Sequence, residues 1–239
     1  MNELLEIKPN YFDALFDKNP ALMRIEKKES IVDHEKISEI NSDDFEAFFN
    51  LGVGLGDIGN NEEAIACYEK LLEISPNHMN VLFNLAGAFG RLKKHEESIS
   101  CYDKLLETNP NHINTIFNKS IELTKLGKHK EAIVCYDEVL KISPNHMNAL
   151  SNKGVALTRR GRLEEAMRCY DKALKINPDH LNTLSNKGVI FCFLDKFEKA
   201  VLFFDKALKI NPNEPKIIAN KNLALSKLDK KNPMLLKPE

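Results

Sequence analysis

Residues 132–146 read AIVCYDEVLKISPNH, and residues 166–180 read AMRCYDKALKINPDH. The same word stands at 64–78 (AIACYEKLLEISPNH), at 98–112 (SISCYDKLLETNPNH) and at 200–214 (AVLFFDKALKINPNE). Its prolines, Pro76, Pro110, Pro144, Pro178 and Pro212, are 34 residues apart each time, with no insertion. Self-similarity at one fixed period marks a stacked array, because each short repeat can bury its apolar face only against its neighbours.

Each period reads as two helices. Across 79–92, Leu82, Leu85, Ala86, Phe89 and Leu92 follow three-and-four spacing, which makes one helical face. Across 95–108, Ile99, Tyr102, Leu105 and Leu106 do the same. Gly59-Asn60, Gly127 and Gly161 supply tight connections between the two helices. The proline closes the second helix, since it has no N–H and biases the residue before it away from the α region. The Asn or Asp that follows is expected to cap the next first helix. No strand-like alternation occurs in the repeats, so the fold class is all-α.

A 34-residue helix-turn-helix unit of this kind resembles the tetratricopeptide repeat. Its first large apolar slot holds Phe48, Leu82, Ile116, Leu150 and Leu184. The small residue of the first helix is Gly52, Ala86, Ser120, Gly154 or Gly188, and that of the second is Ala64, Ser98, Ala132, Ala166 or Ala200. Small is expected to face small, so that the two backbones approach closely. Tyr68, Tyr102, Tyr136, Tyr170 and Phe204 fill the aromatic slot. The resemblance implies stacked antiparallel helix pairs winding into a right-handed superhelical solenoid, with the first helices lining its concave side. One departure stands out: Lys119, Lys153 and Lys187 occupy the place where the family usually carries Leu. A lysine stem can lie on apolar surface with its charge in water, so the fold is unaffected.

The expected organisation has three parts. Residues 1–44 form an acidic segment with a degenerate helical repeat, carrying 11 acidic and 6 basic side chains. Five repeats follow over 45–214, at 45–78, 79–112, 113–146, 147–180 and 181–214. Residues 215–239, with 6 basic and 2 acidic side chains, form a capping helix and a short tail. In the cap, Ile218, Asn220 and Leu225 fall in first-helix register, and five lysines are expected to make its outer surface polar.

The 34 basic and 35 acidic residues leave a net charge of −1, so no global field draws the chain to nucleic acid or to an anionic membrane. The longest apolar run, Val189 to Leu194, is too short to span a bilayer. Met1-Asn2-Glu3 lacks the basic and apolar stretches of a secretory signal, so the expected location is cytoplasmic.

The residues that most invite a chemical reading recur as ladders. His78, His112, His146 and His180 repeat at the period, as do Cys67, Cys101, Cys135 and Cys169. Packed helices lie about 8–10 Å apart, and two helices separate equivalent positions, so neither ladder can share a metal ion or close disulfides. The histidines read as polar residues of the connections, and the cysteines as half-buried reduced thiols. Cys192 stands alone on a first helix, where a structural or a reactive thiol would fit. Glu62-Glu63, Glu96-Glu97 and Glu164-Glu165 sit where carboxylates favour a helix N-terminus. No phosphate-binding glycine loop, Gly-x-Ser-x-Gly elbow or Cys-x-x-Cys occurs. The expectation is a protein that is not an enzyme, with no catalytic residues, cofactor or metal.

The first helices carry an asparagine ladder: Asn50, Asn84, Asn118, Asn152, Asn186 and Asn220. One turn earlier stand Asn80, Asn114, Asn148 and Asn182, each four residues before its partner and on the same face. Asn is a mediocre helix former, so two per helix call for a reason. Two readings stay open: duplication with local capping bonds, or an array of amides that binds the backbone of an extended peptide. The ladder resembles that of the tetratricopeptide domain of O-GlcNAc transferases, which implies the second. The carboxylate clamp of co-chaperones is absent, since its places hold Phe49, Val53, Asn114 and Asn118. Phe49, Phe83 and Phe117 stand beside the asparagines, where later repeats have Ser151 and Ser185. These rings either line the groove or pack between helices. Arg91, Lys125 and Arg159 stand seven residues beyond an asparagine, where the first repeat has Asp57. The expected function is a non-catalytic module or scaffold binding a peptide or partner protein in the concave groove. A regulatory subunit for an enzyme on a separate chain is the alternative. A helical-repeat RNA binder, as in pentatricopeptide proteins, fits less well, because the neutral array lacks a basic surface.

Overall fold

Three-and-four apolar spacing yields a helix wherever the repeat pattern recurs. The structure, a computed structural model, describes residues 42–231, and its secondary-structure elements are all helices. They are α1 (Ser42–Asp57), α2 (Asn61–Ile74), α3 (Met79–Arg91), α4 (His95–Thr108), α5 (Ile113–Lys125) and α6 (His129–Ile142). Then come α7 (Met147–Arg159), α8 (Leu163–Ile176), α9 (Leu181–Phe193), α10 (Phe197–Ile210) and α11 (Pro215–Lys231). The expected degenerate repeat in 1–44 lies outside the described residues apart from 42–44, and so does the tail at 232–239.

The chain divides into two compact units, one ending at Thr115 and the other starting at Ile116. In the N-terminal unit α1 packs on α2, α2 on α3 and α3 on α4. Its core joins Phe48, Leu51 and Leu55 of α1 to Ala64, Tyr68 and Leu71 of α2, then to Leu82 and Leu85 of α3 and to Tyr102 and Leu105 of α4. In the C-terminal unit each helix from α6 to α11 packs on the next, and α9 also touches α7 and α11. Leu184, Phe191, Phe197, Ala200, Phe204, Ala207, Ile217 and Ala224 make the core at its far end.

The close contact between paired helices has a second component beside the small-on-small approach, which Ser98 and Ala86 make as expected. A second-helix ring lies on a first-helix glycine. A Cβ added at Gly52 would sit 2.7 Å from Tyr68, one at Gly188 2.6 Å from Phe204, and one at Gly154 would run into Tyr170 in the same way. The small second-helix residue still serves close approach, for Ser98 Oγ donates to the Ala86 carbonyl at 2.8 Å. Burying one such ring contributes about 1.5–3 kcal/mol, so the recurring aromatic is a main source of stability in each pair.

The turn between paired helices needs a left-handed residue. Gly59, Gly127 and Gly161 have φ of +89°, +76° and +72°. At the equivalent places Lys93 (φ +61°) and Asp195 (φ +54°) adopt the same conformation without being glycine. Each turn closes with a bond from the following amide to a carbonyl five residues back, such as Lys94 N–H to Phe89 O at 2.9 Å. Lys93→Gly is therefore expected to stabilise the protein by about 0.5–1 kcal/mol, seen as a higher urea midpoint. An unchanged midpoint would mean that Lys93 bears no strain.

The caps of the first helices also differ from expectation. The capping residue is the histidine, one place after the Asn or Asp that follows the proline. His78 Nδ1 accepts from the Val81 amide at 3.4 Å, and His146 Nδ1 from the Ala149 amide at 3.1 Å. Asparagines before the proline close the turn instead, Asn177 Oδ1 accepting from the Asp179 amide at 3.0 Å.

Candidate binding surface

On the first helices of the N-terminal unit, Asn50, Asn80 and Asn114 are exposed and Asn84 is half-buried. Asn84 Nδ2 donates to the Asn80 carbonyl at 2.9 Å, and Asn50 Nδ2 to Glu46 Oε1 at 3.3 Å. Asn50 and Asn84 thus each spend a donor within their own helix. In the C-terminal unit Asn148 and Asn182 are exposed, and Asn118, Asn152, Asn186 and Asn220 are half-buried. Asn152 bonds to the buried Tyr136 hydroxyl, which also meets Thr124. Burial pushes the Tyr136 pKa up, and these bonds temper the rise. Asn152 therefore has a structural duty that spacing alone does not reveal.

The three phenylalanines are half-buried between aromatic neighbours. Phe49 has ring centroids 6.2 Å from Tyr68 and 6.4 Å from His78. Phe83 lies 5.9 Å from Tyr102 and 6.3 Å from His112. Phe117 lies 6.2 Å from Tyr136 and 4.8 Å from His146. Each ring wedges between a second-helix tyrosine and the capping histidine of the next repeat. Where Ser151 replaces phenylalanine, a hydroxyl chain takes over. Thr183 Oγ1 donates to the buried Ser151 Oγ at 2.8 Å and stands 2.6 Å from His180 Nδ1. Burial lowers the His180 pKa, which favours its neutral form.

The basic residues are not equally available. Arg91 Nε donates to Asn61 Oδ1 at 2.5 Å, and its guanidinium lies over Gly56. Lys125 pairs with Glu122 at 2.8 Å. Arg159 is exposed, and among the described residues no ion pair holds it. Two of the lysines that replace the family's leucine make bridges along the stack, Lys153 with Asp137 and Lys187 with Asp171, and Lys221 of the cap pairs with Asp205 at 2.6 Å in the same register. Each acid lies sixteen residues before its lysine, on the preceding second helix. Because the acids are about half exposed, each pair contributes no more than about 1 kcal/mol. This ladder was visible in the sequence, since both residues recur at the period.

The thiols are more deeply placed than half-buried. Cys67, Cys101, Cys135 and Cys169 are buried thiols outside any disulfide. Burial pushes the Cys67 and Cys101 pKa values up to about 11, and those of Cys169 and Cys192 upward as well. A raised pKa keeps Cys192 a thiol at neutral pH, which is the opposite of an activated nucleophile. Among the described residues no group of three or more His, Cys, Asp or Glu is placed to hold a metal ion. None of the described helices is long and apolar enough to cross a membrane.

Glycine-seated rings, left-handed turns and a strict 34-residue helix pair define a helical-repeat protein. Two family models match it: the tetratricopeptide repeat at 148–180 and 182–214, and the Psidin N-terminal tetratricopeptide repeat region at 54–152. The chain belongs to the tetratricopeptide-repeat family. It is similar in fold to MamA from Desulfovibrio magneticus RS-1, at 20% identity and a TM-score of 0.66, covering 72% of this chain and 97% of that one. YrrB, described as a tetratricopeptide protein with an unusual peptide-binding site, matches at 21% identity and a TM-score of 0.62, covering 84% and 97%. A thermophilic tetratricopeptide protein of Thermus thermophilus matches at 17% identity and a TM-score of 0.61, covering 76% and 99%. No curated protein sequence matches.

Proposed function

We propose that the protein is a non-catalytic interaction module that binds an extended peptide segment of a partner protein along the asparagine faces of its first helices. Tetratricopeptide proteins generally bind protein or peptide partners. The observation that carries the reading here is the recurrence of Asn118, Asn152, Asn186 and Asn220 at one register on α5, α7, α9 and α11 of a single unit. Each amide can give one bond to a main-chain carbonyl and take one from an N–H, and so hold a backbone without reading its sequence. A cytoplasmic setting accords with five cysteines held as thiols rather than in disulfides, as reducing conditions keep them.

The test uses Asn118 and Asn186, because Asn152 also serves Tyr136. Each amide-to-backbone bond contributes about 0.5–1.5 kcal/mol net. Asn118→Ala with Asn186→Ala is thus expected to weaken binding of a partner recovered by pull-down about tenfold, with the melting temperature little changed. A double variant that stays folded and binds normally would move the partner to another surface. One that unfolds would make the asparagines structural.

A further inference from the structure

In the C-terminal unit two first helices lack carboxylates, although α5 keeps Glu122 and α11 keeps Asp229. The first helices α7 and α9 contain no Asp or Glu, whereas α8 carries Glu164, Glu165 and Asp171, and α10 carries Glu198 and Asp205. The lysines of α7 and α9 are occupied, for Lys153 and Lys187 pair with Asp137 and Asp171 and keep only 18% and 13% side-chain exposure. Arg159 remains, seven residues beyond Asn152 and so on nearly the same face of α7. The same register holds Phe193 on α9, seven beyond Asn186, and Lys227 on α11, seven beyond Asn220. Phe193 is 66% exposed, and Leu223, one turn before Lys227, is 58% exposed. Since α9 packs on both α7 and α11, the three positions form a row: cation, aromatic ring, cation. Isolated exposed apolar residues need no explanation. A phenylalanine in register between two exposed cations, on a helix that itself carries no carboxylate, has the character of a recognition surface. Asp195, in the turn after α9, is already engaged, and Asp229 lies two residues past Lys227, on another side of its helix.

We propose that Arg159, Phe193, Leu223 and Lys227 select an acidic peptide that carries a large apolar side chain. The apolar group rests on Phe193 and Leu223, and flanking carboxylates meet Arg159 and Lys227. This rests on the reading that the asparagine face holds the peptide backbone, and it adds the side chains that the surface accepts. Charge complementarity decides the class: a basic segment would meet two cations with no acid on α7 or α9 to answer them.

The experiment titrates the full chain against short fluorescein-labelled peptides followed by anisotropy. One alternates Asp and Glu with Leu, the second has Ser for Leu, and the third has Lys for the acids. An oligo-uridine RNA is run beside them. The acidic leucine peptide is expected to bind at least about tenfold tighter than the other two, and to weaken as salt is raised. Arg159→Ala and Phe193→Ser, both at exposed positions, should each weaken it about fivefold or more while the melting temperature holds. Equal binding of the lysine peptide, indifference to both variants, or preferential binding of the RNA would overturn the proposal. The Asn118→Ala with Asn186→Ala variant separates the two readings. If it abolishes binding while Arg159→Ala and Phe193→Ser do nothing, the backbone reading stands and this one falls. If the reverse holds, side-chain recognition stands and the backbone reading falls. If no peptide binds, both fall.

Discussion

Gly188→Ala is expected to destabilise the protein while Phe204 is present, and to stabilise it once Phe204 has been replaced by Ala. Phe204 is fully buried, and its ring lies where a Cβ on Gly188 would stand 2.6 Å from Cε1 and 2.9 Å from Cδ1. The added methyl must push the ring or part the helices, an overpacking cost of about 1–3 kcal/mol. Phe204→Ala alone removes a buried ring and leaves a cavity, and should cost about 3–5 kcal/mol. In that background the Gly188 methyl enters empty space, and the helix gains about 1 kcal/mol from Ala over Gly. The helix gain is common to both backgrounds, so the two substitutions should couple by the overpacking cost alone, about 1–3 kcal/mol, measured by urea denaturation of the four proteins in the cycle. An equal effect of Gly188→Ala in both backgrounds would show that the ring does not rest on this glycine.

This contact was only half legible in the sequence. Periodicity marked Gly188 as the small position and Phe204 as the aromatic one, because each is fixed by its own helical register. That they meet each other depends on how far one helix slides along the other, and pattern carries no record of that offset. The same limit explains the missed partners of the basic residues. Arg91 reaches Asn61, thirty residues back, and nothing local to either announces it. The left-handed places of Lys93 and Asp195 were hidden because their residue types are ordinary, while their sisters Gly59, Gly127 and Gly161 were plain. The lysine–aspartate bridges could have been read, since Lys153, Lys187 and Lys221 recur in step with Asp137, Asp171 and Asp205. Phe193 escaped notice as a site residue because it lies in the longest apolar run, where it reads as core; its exposure alone sets it apart.

Removing residues 215–239 is expected to drive the chain to self-associate and to lower its stability by several kcal/mol. Helix α11 buries Ile217 and Ala224, at 3% and 0% exposure, against the core that holds Leu184, Phe191, Phe204 and Ala207. It also brings Lys221 to Asp205 at 2.6 Å. Burying one Ile is worth about 1.5–3 kcal/mol, and truncation additionally exposes the apolar atoms that Ile217, Ala224 and Leu228 now cover. Such a face is open to a second copy, as a stack without its terminal cover always is. The cap is less polar than its lysines suggested, for Ile218 and Leu223 are 38% and 58% exposed beside the exposed Lys216, Lys227 and Lys230. The covering role therefore belongs to the inward row of Ile217, Ala224 and Leu228, while Leu223 faces outward. This gives a control within the full-length chain. Ile217→Ser should destabilise by about 2–4 kcal/mol and promote association, whereas Leu223→Ser should leave both stability and oligomeric state nearly unchanged. Sedimentation velocity and urea denaturation of the three proteins would decide it: a truncated chain as monomeric and as stable as the intact one would remove the capping role from α11.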